Sequence, residues 1–298
     1  MKKLLSMLVM ASMMVFALGT MGASAAKAPQ NDKAVVVVSF GSTFDDTRTK
    51  DIGGIEEAVA KAFPNRDFKR AFTSYIIMER LEKNKGIKVN DLPTTLKELK
   101  KAGYKDILVQ PTHLLHGEEY EHKVLTTVDK FKGDFDRIVV SDPLMVGKND
   151  FAIAASAVAT QFPTLGKGEG VVLMGHGSPR DNNQSFGNTY KMLQETFDKM
   201  GLPVVVGTVE EVDTPNVDEV LEQIKARGYK TVHMFPLMIV AGDHANNDMY
   251  GDEEDSWKSL IEKMGVKTIG HLQGIGRNAA VQAIYVQHAV AAEAGVQR

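Results

Sequence analysis

Continuous apolar runs alternate with amphipathic stretches along most of the chain. The first run, residues 34–40, is rich in valine and has no polar alternation, which is typical of a strand buried on both faces of a parallel sheet. Apolar residues at helical spacing follow over about residues 46–63, and Pro64 stops that pattern. Strand and helix patterns go on alternating to the end of the chain. This order predicts right-handed β-α-β crossovers and therefore an α/β fold with parallel sheets.

The same order of elements occurs twice. The second copy begins with an apolar run over residues 170–174, which ends in Gly-His-Gly-Ser where the first run ends in Gly-Ser. Further motifs recur in the same order, namely Gly103-Tyr104-Lys105 with Gly228-Tyr229-Lys230, Pro111 with Pro236, Gly117-Glu118-Glu119 with Gly242-Asp243-His244, and Gly147-Lys148-Asn149 with Gly276-Arg277-Asn278. We therefore predict two similar doubly wound domains, residues 27–148 and 149–298, with a cleft between them.

The first 26 residues have the three parts of a secretory signal peptide. Lys2 and Lys3 precede an apolar run over residues 4–18, and the small residues at 23–26 suit signal peptidase. An uncleaved membrane anchor is the alternative, but the apolar run is shorter than the roughly 20 residues that a bilayer requires. We therefore predict cleavage after residue 26, export to the periplasm and no stable membrane anchor.

Composition narrows the classes of function. The chain has no cysteine, which excludes disulfides, iron–sulfur clusters and a lipid-modified cysteine at the cleavage site. The formal net charge is −3 and becomes more negative when Lys2 and Lys3 are removed. A nucleic-acid partner is therefore not expected.

Polar residues follow three strands of the second unit, where each strand ends. His176 follows the first strand, Glu210 and Glu211 the second, and Asp243 with His244 the third. The carboxyl ends of parallel strands lie at one edge of a sheet, and ligands bind there. Each residue alone is more often a packing histidine or a solvated acid, but together they predict a site.

The expected ligand of this site is a divalent metal ion. Two imidazoles with one or two carboxylates suit cobalt, iron, nickel or zinc. In the first unit, Glu119 occupies the position equivalent to His244, with Glu118 beside it. If the two sheets face each other across a cleft, Glu118 and Glu119 lie on the wall opposite the histidines.

Three other features of the sequence bear on a possible site. The acidic run at 252–255 is expected to form the first turn of a helix over residues 253–264, with an acidic lip that feeds metal as the alternative. His122 suits either a surface position or the axial position of a haem. Ser42 and Ser178, each after a glycine at a strand end, could hold the carboxylates of a tetrapyrrole at a helix N-terminus. No Walker or dinucleotide motif is present.

These motifs resemble those of the anaerobic-pathway sirohydrochlorin cobalt chelatases, a class II group related to ferrochelatase. The motifs that carry the likeness are Ser39-Phe40-Gly41-Ser42, Pro111-Thr112-His113, Gly117-Glu118-Glu119-Tyr120, Gly175-His176-Gly177-Ser178, Gly207-Thr208-Val209-Glu210 and Gly242-Asp243-His244. The resemblance covers the chain after the leader, and it implies two α/β domains around a tetrapyrrole cleft and no use of ATP. The leader itself departs from the family, since cobalamin assembly is cytoplasmic.

The resemblance also assigns roles. It places the metal-binding histidines at His176 and His244 and the acidic residues at Glu119 and Glu210. In this interpretation the histidines present Co²⁺, or alternatively Fe²⁺, and act as base, and the two glutamates serve as a further ligand or as a proton relay. The substrate is sirohydrochlorin, cobalt is a substrate rather than a resident cofactor, and haem is a further candidate ligand.

Two other functions remain open from the sequence. A periplasmic carrier of haem or metal with the chelatase fold would use His122 as a surface ligand. A two-domain solute-binding protein would share the topology and the address. The sequence also leaves the oligomeric state open, and a homo-oligomer is compatible with it.

Overall fold

Two parallel sheets, one in each unit, form the framework of the protein. The computed structural model describes residues 31–177, 189–210 and 213–296. Within these ranges each sheet has four strands, in the orders β2-β1-β3-β4 and β6-β5-β7-β8. Every neighbouring pair of strands is parallel. The predicted α/β fold with a duplicated unit is therefore confirmed.

Helical segments connect the four strands of the first unit. Its elements are β1 (Lys33–Ser39), α1 (Asp45–Thr47), α2 (Gly53–Ala62), β2 (Asp67–Phe72), α3 (Tyr75–Lys85), α4 (Leu92–Ala102), β3 (Asp106–Pro111), α5 (Glu118–Tyr120), α6 (Thr126–Asp129) and β4 (Arg137–Val140). Helix α7 (Lys148–Ala159) leads from β4 into the second unit. Two π-helical turns, Arg48–Ile52 and Glu121–Leu125, lie between α1 and α2 and between α5 and α6.

The second unit repeats this arrangement. Its elements are β5 (Glu169–Gly175), α8 (Thr189–Lys199), β6 (Val204–Thr208), α9 (Val217–Arg227), β7 (Thr231–Pro236), α10 (Trp257–Lys263), β8 (Lys267–Gly270) and α11 (Ala279–Glu293). A third π-helical turn, Ala245–Met249, follows β7. The three π-helical turns come after β1, β3 and β7, which are strands whose carboxyl ends face the same cleft.

The valines of β1 show why this chain forms buried parallel strands. Val35 and Val37 point into one apolar cluster, and Val36 and Val38 point into another on the opposite face of the sheet. All four are fully buried. Because both faces of the strand are covered by helices, the sequence has no polar alternation to show.

The predicted start of α10 was wrong. The acidic residues 252–255 form turns before the helix rather than its first turn. The helix begins one residue after Ser256, whose hydroxyl accepts a hydrogen bond from the backbone N–H of Ser259 at 3.1 Å. A serine N-cap satisfies a free helical N–H directly and therefore decides the boundary better than nearby acidic charge.

The leader, residues 1–26, lies outside the described residues, so the cleavage site stays a prediction from the sequence. In the part of the chain that is described, no helix combines the length and the apolar character needed to cross a bilayer.

The last helix of the second unit lies across the first unit. The hydroxyl of Tyr285 in α11 donates to the carbonyl oxygen of Thr112 at 3.0 Å. At the end of α11, Glu293 accepts hydrogen bonds from Arg66 at 2.8 and 2.7 Å and from Arg137 at 2.9 Å. The side chain of Arg66 is fully buried. The carboxylate of Glu293 therefore joins the two units through an ion pair with the buried guanidinium of Arg66.

We predict that Glu293→Gln lowers the free energy of unfolding by about 1–3 kcal/mol, because it leaves the buried Arg66 without one of its ionic partners. Urea unfolding of the purified protein measures the change. The matched control is Glu57→Gln, which removes an exposed pair with Lys61 and should leave the free energy of unfolding nearly unchanged. Equal effects of the two substitutions would contradict the prediction.

The same pair predicts a pH dependence. Burial alone raises the pKa of Glu293, but hydrogen bonds from Arg66 and Arg137 bring that pKa below its ordinary value of 4.5. A lowered carboxyl pKa stabilises the fold above the unfolded pKa, and this contribution is lost as the pH falls through the folded pKa. The difference in unfolding free energy between wild type and Glu293→Gln should therefore stay constant from neutral pH down to about pH 5 and shrink as the pH falls below 4.5.

Candidate functional site

A cleft of about 680 Å³ lies between the two sheets, at the carboxyl ends of their central strands. Four loops line it, and they follow β1, β3, β5 and β7. The lining is mostly apolar, with histidine and carboxylate side chains from both units. A mixed lining of this kind suits a large, flat organic molecule that must be oriented by a few polar groups.

His176 is held at the end of β5 by an extension of the sheet ladder. The N–H of Val209 donates to the carbonyl oxygen of Gly175 at 2.9 Å, and the N–H of Glu210 donates to that of His176 at 3.1 Å. The pairing of β5 with β6 therefore extends one step beyond the strands and places Glu210 beside His176. The distance from His176 Nε2 to Glu210 Oε1 is 3.8 Å.

Glycine at position 177 is required by this arrangement. Its φ of +99° lies in the left-handed region, and a Cβ placed there would lie 2.9 Å from Cβ of Glu210. The N–H of Gly177 donates to the hydroxyl of Tyr190 at 3.3 Å. Burial raises the pKa of Tyr190, so the phenol stays protonated near neutral pH. Tyr190 and the glycine thus fix the turn that presents the His176 ring.

His244 reaches the cleft from a loop that is tied down on both sides. The N–H of Leu237 donates to the carbonyl oxygen of Met174 at 2.7 Å, which extends β7 along β5. The amide of Asn246 donates to the carbonyl oxygens of Ala241 at 3.3 Å and Gly242 at 2.7 Å. His244 lies two residues after Gly242 and immediately before the π-helical turn.

Asp248 sets the orientation of the His244 ring. Its Oδ2 lies 2.7 Å from Nδ1 of His244, one helical turn away. An ionised carboxylate can only accept a hydrogen bond, so Nδ1 carries a proton, and in the neutral imidazole Nε2 is then the nitrogen with the free lone pair. This carboxylate–histidine pairing is common in metal sites, where it orients the ligand and raises its basicity.

The structure brings His176 and His244 together. Their ring centroids are 4.9 Å apart and the planes meet at 88°. Both rings line the cleft, and Glu210 lies beside them. Among the described residues, no three histidine or acidic side chains converge closely enough to hold an ion in this conformation. Glu210 and the two imidazoles are thus neighbouring polar groups on the wall of the second unit.

The opposite wall belongs to the first unit. Glu118 and Glu119 line the same cleft as the two histidines, as expected from their place after β3. The distance from Glu118 Oε1 to His122 Nε2 is 3.8 Å, and the His122 side chain is 63% exposed. This exposure leaves His122 at the rim of the cleft, accessible to a ligand from solution.

Ser42 lines the cleft, although its hydroxyl is already engaged. It lies 2.6 Å from the hydroxyl of Thr47 and accepts the N–H of Phe44 at 3.2 Å. Its role in binding substrate stays a prediction. Ser178, the other predicted substrate-binding serine, and Glu211 lie outside the described residues.

Phe40 and His113 lie in motifs that carry the family resemblance, but the sequence assigned neither residue a chemical role. Phe40 lines the cleft and is 53% exposed, an unusual position for a phenylalanine. Neither ring nitrogen of His113 contacts solvent or a hydrogen-bond partner, and burial lowers its pKa from 6.5 to about 4. His113 therefore stays neutral near neutral pH. Asp248 could have been found from its spacing of four residues after His244 on a helix.

The family described as Cobalt chelatase (CbiK) matches residues 33–293. The chain belongs to the CbiK cobalt chelatase family. The resemblance that was inferred from the motifs is thereby confirmed at the level of the family.

Curated relatives of this CbiK-family chain share most of its length. A sirohydrochlorin cobaltochelatase from Salmonella typhimurium is 37% identical over 256 residues, which cover 86% of this chain and 94% of that protein. A protein named sirohydrochlorin cobaltochelatase CbiKC, from Nitratidesulfovibrio vulgaris, is 29% identical over 266 residues, with coverage of 89% and 92%.

Solved structures support the fold of the CbiK-family chain. SirB from Bacillus subtilis with Fe³⁺ matches with a TM-score of 0.59 at 16% identity, over 88% of this chain and 96% of that chain. The sirohydrochlorin chelatase SirB from Bacillus subtilis subspecies spizizenii, in complex with cobalt, gives a TM-score of 0.56 at 15% identity, over 88% and 95%. At these identities the likeness concerns the fold alone.

We predict that Asp248→Asn weakens Co²⁺ binding about 10-fold, because the His244 ring loses the charged partner that fixes its tautomer. Titration of the purified protein with Co²⁺, followed by visible absorption, measures the dissociation constant. Asp252→Asn is the matched control, since Asp252 is exposed and bonds to Lys258. Unchanged affinity in Asp248→Asn would show that the hydrogen bond does not act on the metal.

Proposed function

We propose that this protein inserts Co²⁺ into sirohydrochlorin without the use of ATP. Family membership supports a chelatase, and the curated relatives carry the name of this activity. The observation that carries the proposal is the meeting of His176 and His244, 4.9 Å apart, inside a cleft between two α/β units. Fe²⁺ is an alternative substrate for the same donors, because imidazole and carboxylate accept either ion.

Insertion requires two events at the centre of the macrocycle. The ion loses its water ligands, and two pyrrole N–H groups each lose a proton as the four nitrogens bind the ion. An imidazole with a free Nε2 can hold the ion or accept a pyrrole proton. Asp248 keeps His244 in that state. In this proposal His176 and His244 share both tasks.

The glutamates complete the path for ions and protons. Glu210 lies 3.8 Å from His176, where its carboxylate can replace water on the incoming ion and accept a proton from the ring. Glu119 lies on the other wall of the cleft, on the far side of a macrocycle placed between the units. Removal of one proton on each face would then need no rotation of the substrate.

The cleft itself supplies the binding surface for the macrocycle. Phe40 and Phe44 expose aromatic surface at the wall of the first unit. A flat conjugated ring stacks favourably on such side chains. Glu118, Ser42 and Ser178 stay predicted contacts to the polar periphery of the substrate.

We predict that His176→Ala and His244→Ala each abolish nearly all metal insertion while the protein remains folded. Each substitution removes a ligand and a base from the reacting centre. The absorption change of sirohydrochlorin on addition of Co²⁺ measures turnover, and circular dichroism checks the fold. His122→Ala, an exposed imidazole at the cleft rim, serves as the control. Wild-type rates in both alanine variants would remove the proposed roles.

Export is the second part of the proposal. The leader of residues 1–26 supports a periplasmic location, which would separate this protein from cytoplasmic cobalamin assembly. Mass spectrometry of the protein recovered from a periplasmic fraction should give a chain that begins at Lys27. A chain that retains Met1 and the following residues in the membrane fraction would contradict export in cleaved form.

Haem binding at His122 is a separate prediction. The exposure of His122 allows a haem to approach its Nε2, and a carrier function would rest on this residue rather than on His176 and His244. Haem titration of wild type and His122→Ala, followed at the Soret band, tests it. Stoichiometric haem lost in His122→Ala, together with absent metal insertion, would favour the carrier over the chelatase.

A further inference from the structure

The segment after β1 belongs to the first unit, and two of its side chains contact the second unit. It contains Asp46 and Asp51, which are five residues apart. Asp46 lies in α1, and Asp51 lies in the π-helical turn that follows. In an α-helix such a pair would not share a face, whereas π-helical i to i+5 hydrogen bonding brings these positions into line. Both carboxylates contact Arg277, at 2.8 Å for Asp46 and 2.5 Å for Asp51.

Asp51 differs from Asp46 in what else it contacts. Its side chain is fully buried, while that of Asp46 is more than half exposed. Oδ1 of Asp51 accepts the Nε–H of Arg277, and Oδ2 accepts the backbone N–H groups of Ala241 at 3.3 Å and Gly274 at 3.2 Å. All three donors belong to the second unit. One carboxylate of the first unit therefore fixes two loops of the second.

The loop that Asp51 holds is the one that presents His244. The carbonyl oxygen of Ala241 accepts a hydrogen bond from Asn246, so both polar groups of this residue are occupied, one by each unit. Only Gly242 and Asp243 separate Ala241 from His244. A shift at Ala241 would therefore reach the imidazole with few intervening torsions to absorb it.

Close packing leaves this junction little freedom. A Cβ at Gly274 would lie 2.2 Å from the carbonyl oxygen of Ile239 and 2.5 Å from Oδ2 of Asp51. A Cβ at Gly276 would lie 2.7 Å from the carbonyl oxygen of Asp51. The glycines allow the two loops and the carboxylate to meet at backbone contact distance, and a tight junction transmits displacement rather than damping it.

We propose that Asp51 is a positioning residue for the metal site, which holds the His244 loop from the opposite unit. The inference rests on the proposed role of His244 in holding the metal. Asp51 itself contacts neither ion nor macrocycle.

Asp51→Asn tests the proposal with little change of shape. The amide replaces one acceptor oxygen by a donor, so at least one of the three N–H groups loses its partner. We expect the dissociation constant for Co²⁺ to rise about 10-fold and kcat for insertion to fall by a similar factor, with KM for sirohydrochlorin changed less than about twofold. Asp45→Asn is the matched control, since Asp45 bonds to Arg48 and Lys85 of its own unit.

A double substitution separates positioning from general stability. If Asp51 acts through His244, then Asp51→Asn weakens Co²⁺ binding in wild type but adds less than about twofold in a His244→Ala background. A merely structural carboxylate would lower the unfolding temperature and leave Co²⁺ affinity per folded molecule unchanged in both backgrounds. That second result would overturn the proposal.

Two further outcomes are distinguishable. If His244→Ala alone leaves Co²⁺ binding unchanged, the proposed function of the site fails and this inference fails with it. If His244→Ala weakens binding and Asp51→Asn does not, only the role of Asp51 is wrong. Should Asp51→Asn fail to fold, Arg277→Lys carries the same test, since it keeps the charge and removes the Nε–H donor to Asp51.

Discussion

The parallel hydrogen bonding of β5 with its two neighbours sets the geometry on which the site depends. β6 extends past its last residue so that Glu210 lies beside His176, and β7 extends so that Leu237 bonds to Met174. Both extensions start from the rigid centre of the sheet, where strands have no freedom to slide without moving their apolar side chains out of the core. The backbone positions of His176 and Glu210, and of the strand that leads to the His244 loop, are therefore set by the hydrogen bonds of the sheet.

The two units use the same scaffold for different chemistry. Glu119 and His244 occupy equivalent places after the third strand of each sheet, yet one supplies a carboxylate and the other an imidazole. The first unit also contributes the exposed Phe40, while His176 follows the corresponding strand of the second unit. A duplicated fold thus provides a cleft with one wall that carries two imidazoles and one that exposes aromatic side chains, both built from the carboxyl ends of strands.

Contacts between the units make the cleft a defined space. Helix α11 lies on the first unit and ends in the Glu293 cluster, on the side away from the site. Asp51 and Arg277 join the units next to the His244 loop. The apolar core is continuous between them, since Val35 and Leu173 belong to the same buried cluster. Stability and positioning are therefore served by different ionic contacts, at opposite ends of the junction between the units.

The sequence by itself determined the fold class, the duplication and the loops that carry His176, Glu210 and His244. It could do so because buried parallel strands leave continuous apolar runs, and because ligands at strand ends follow those runs directly. The acidic run at 252–255 misplaced the first turn of α10, because the Ser256 cap sets where this helix begins.

Only the tertiary structure decided the rest. The contact of Asp51 with Ala241 joins residues 190 positions apart, and the pairing of Glu293 with Arg66 spans 227. No local pattern records such contacts, because they depend on how two sheets that are distant in sequence come to face each other. The sequence named the groups that can do the chemistry, and the packing of the two units set the distances at which they can do it.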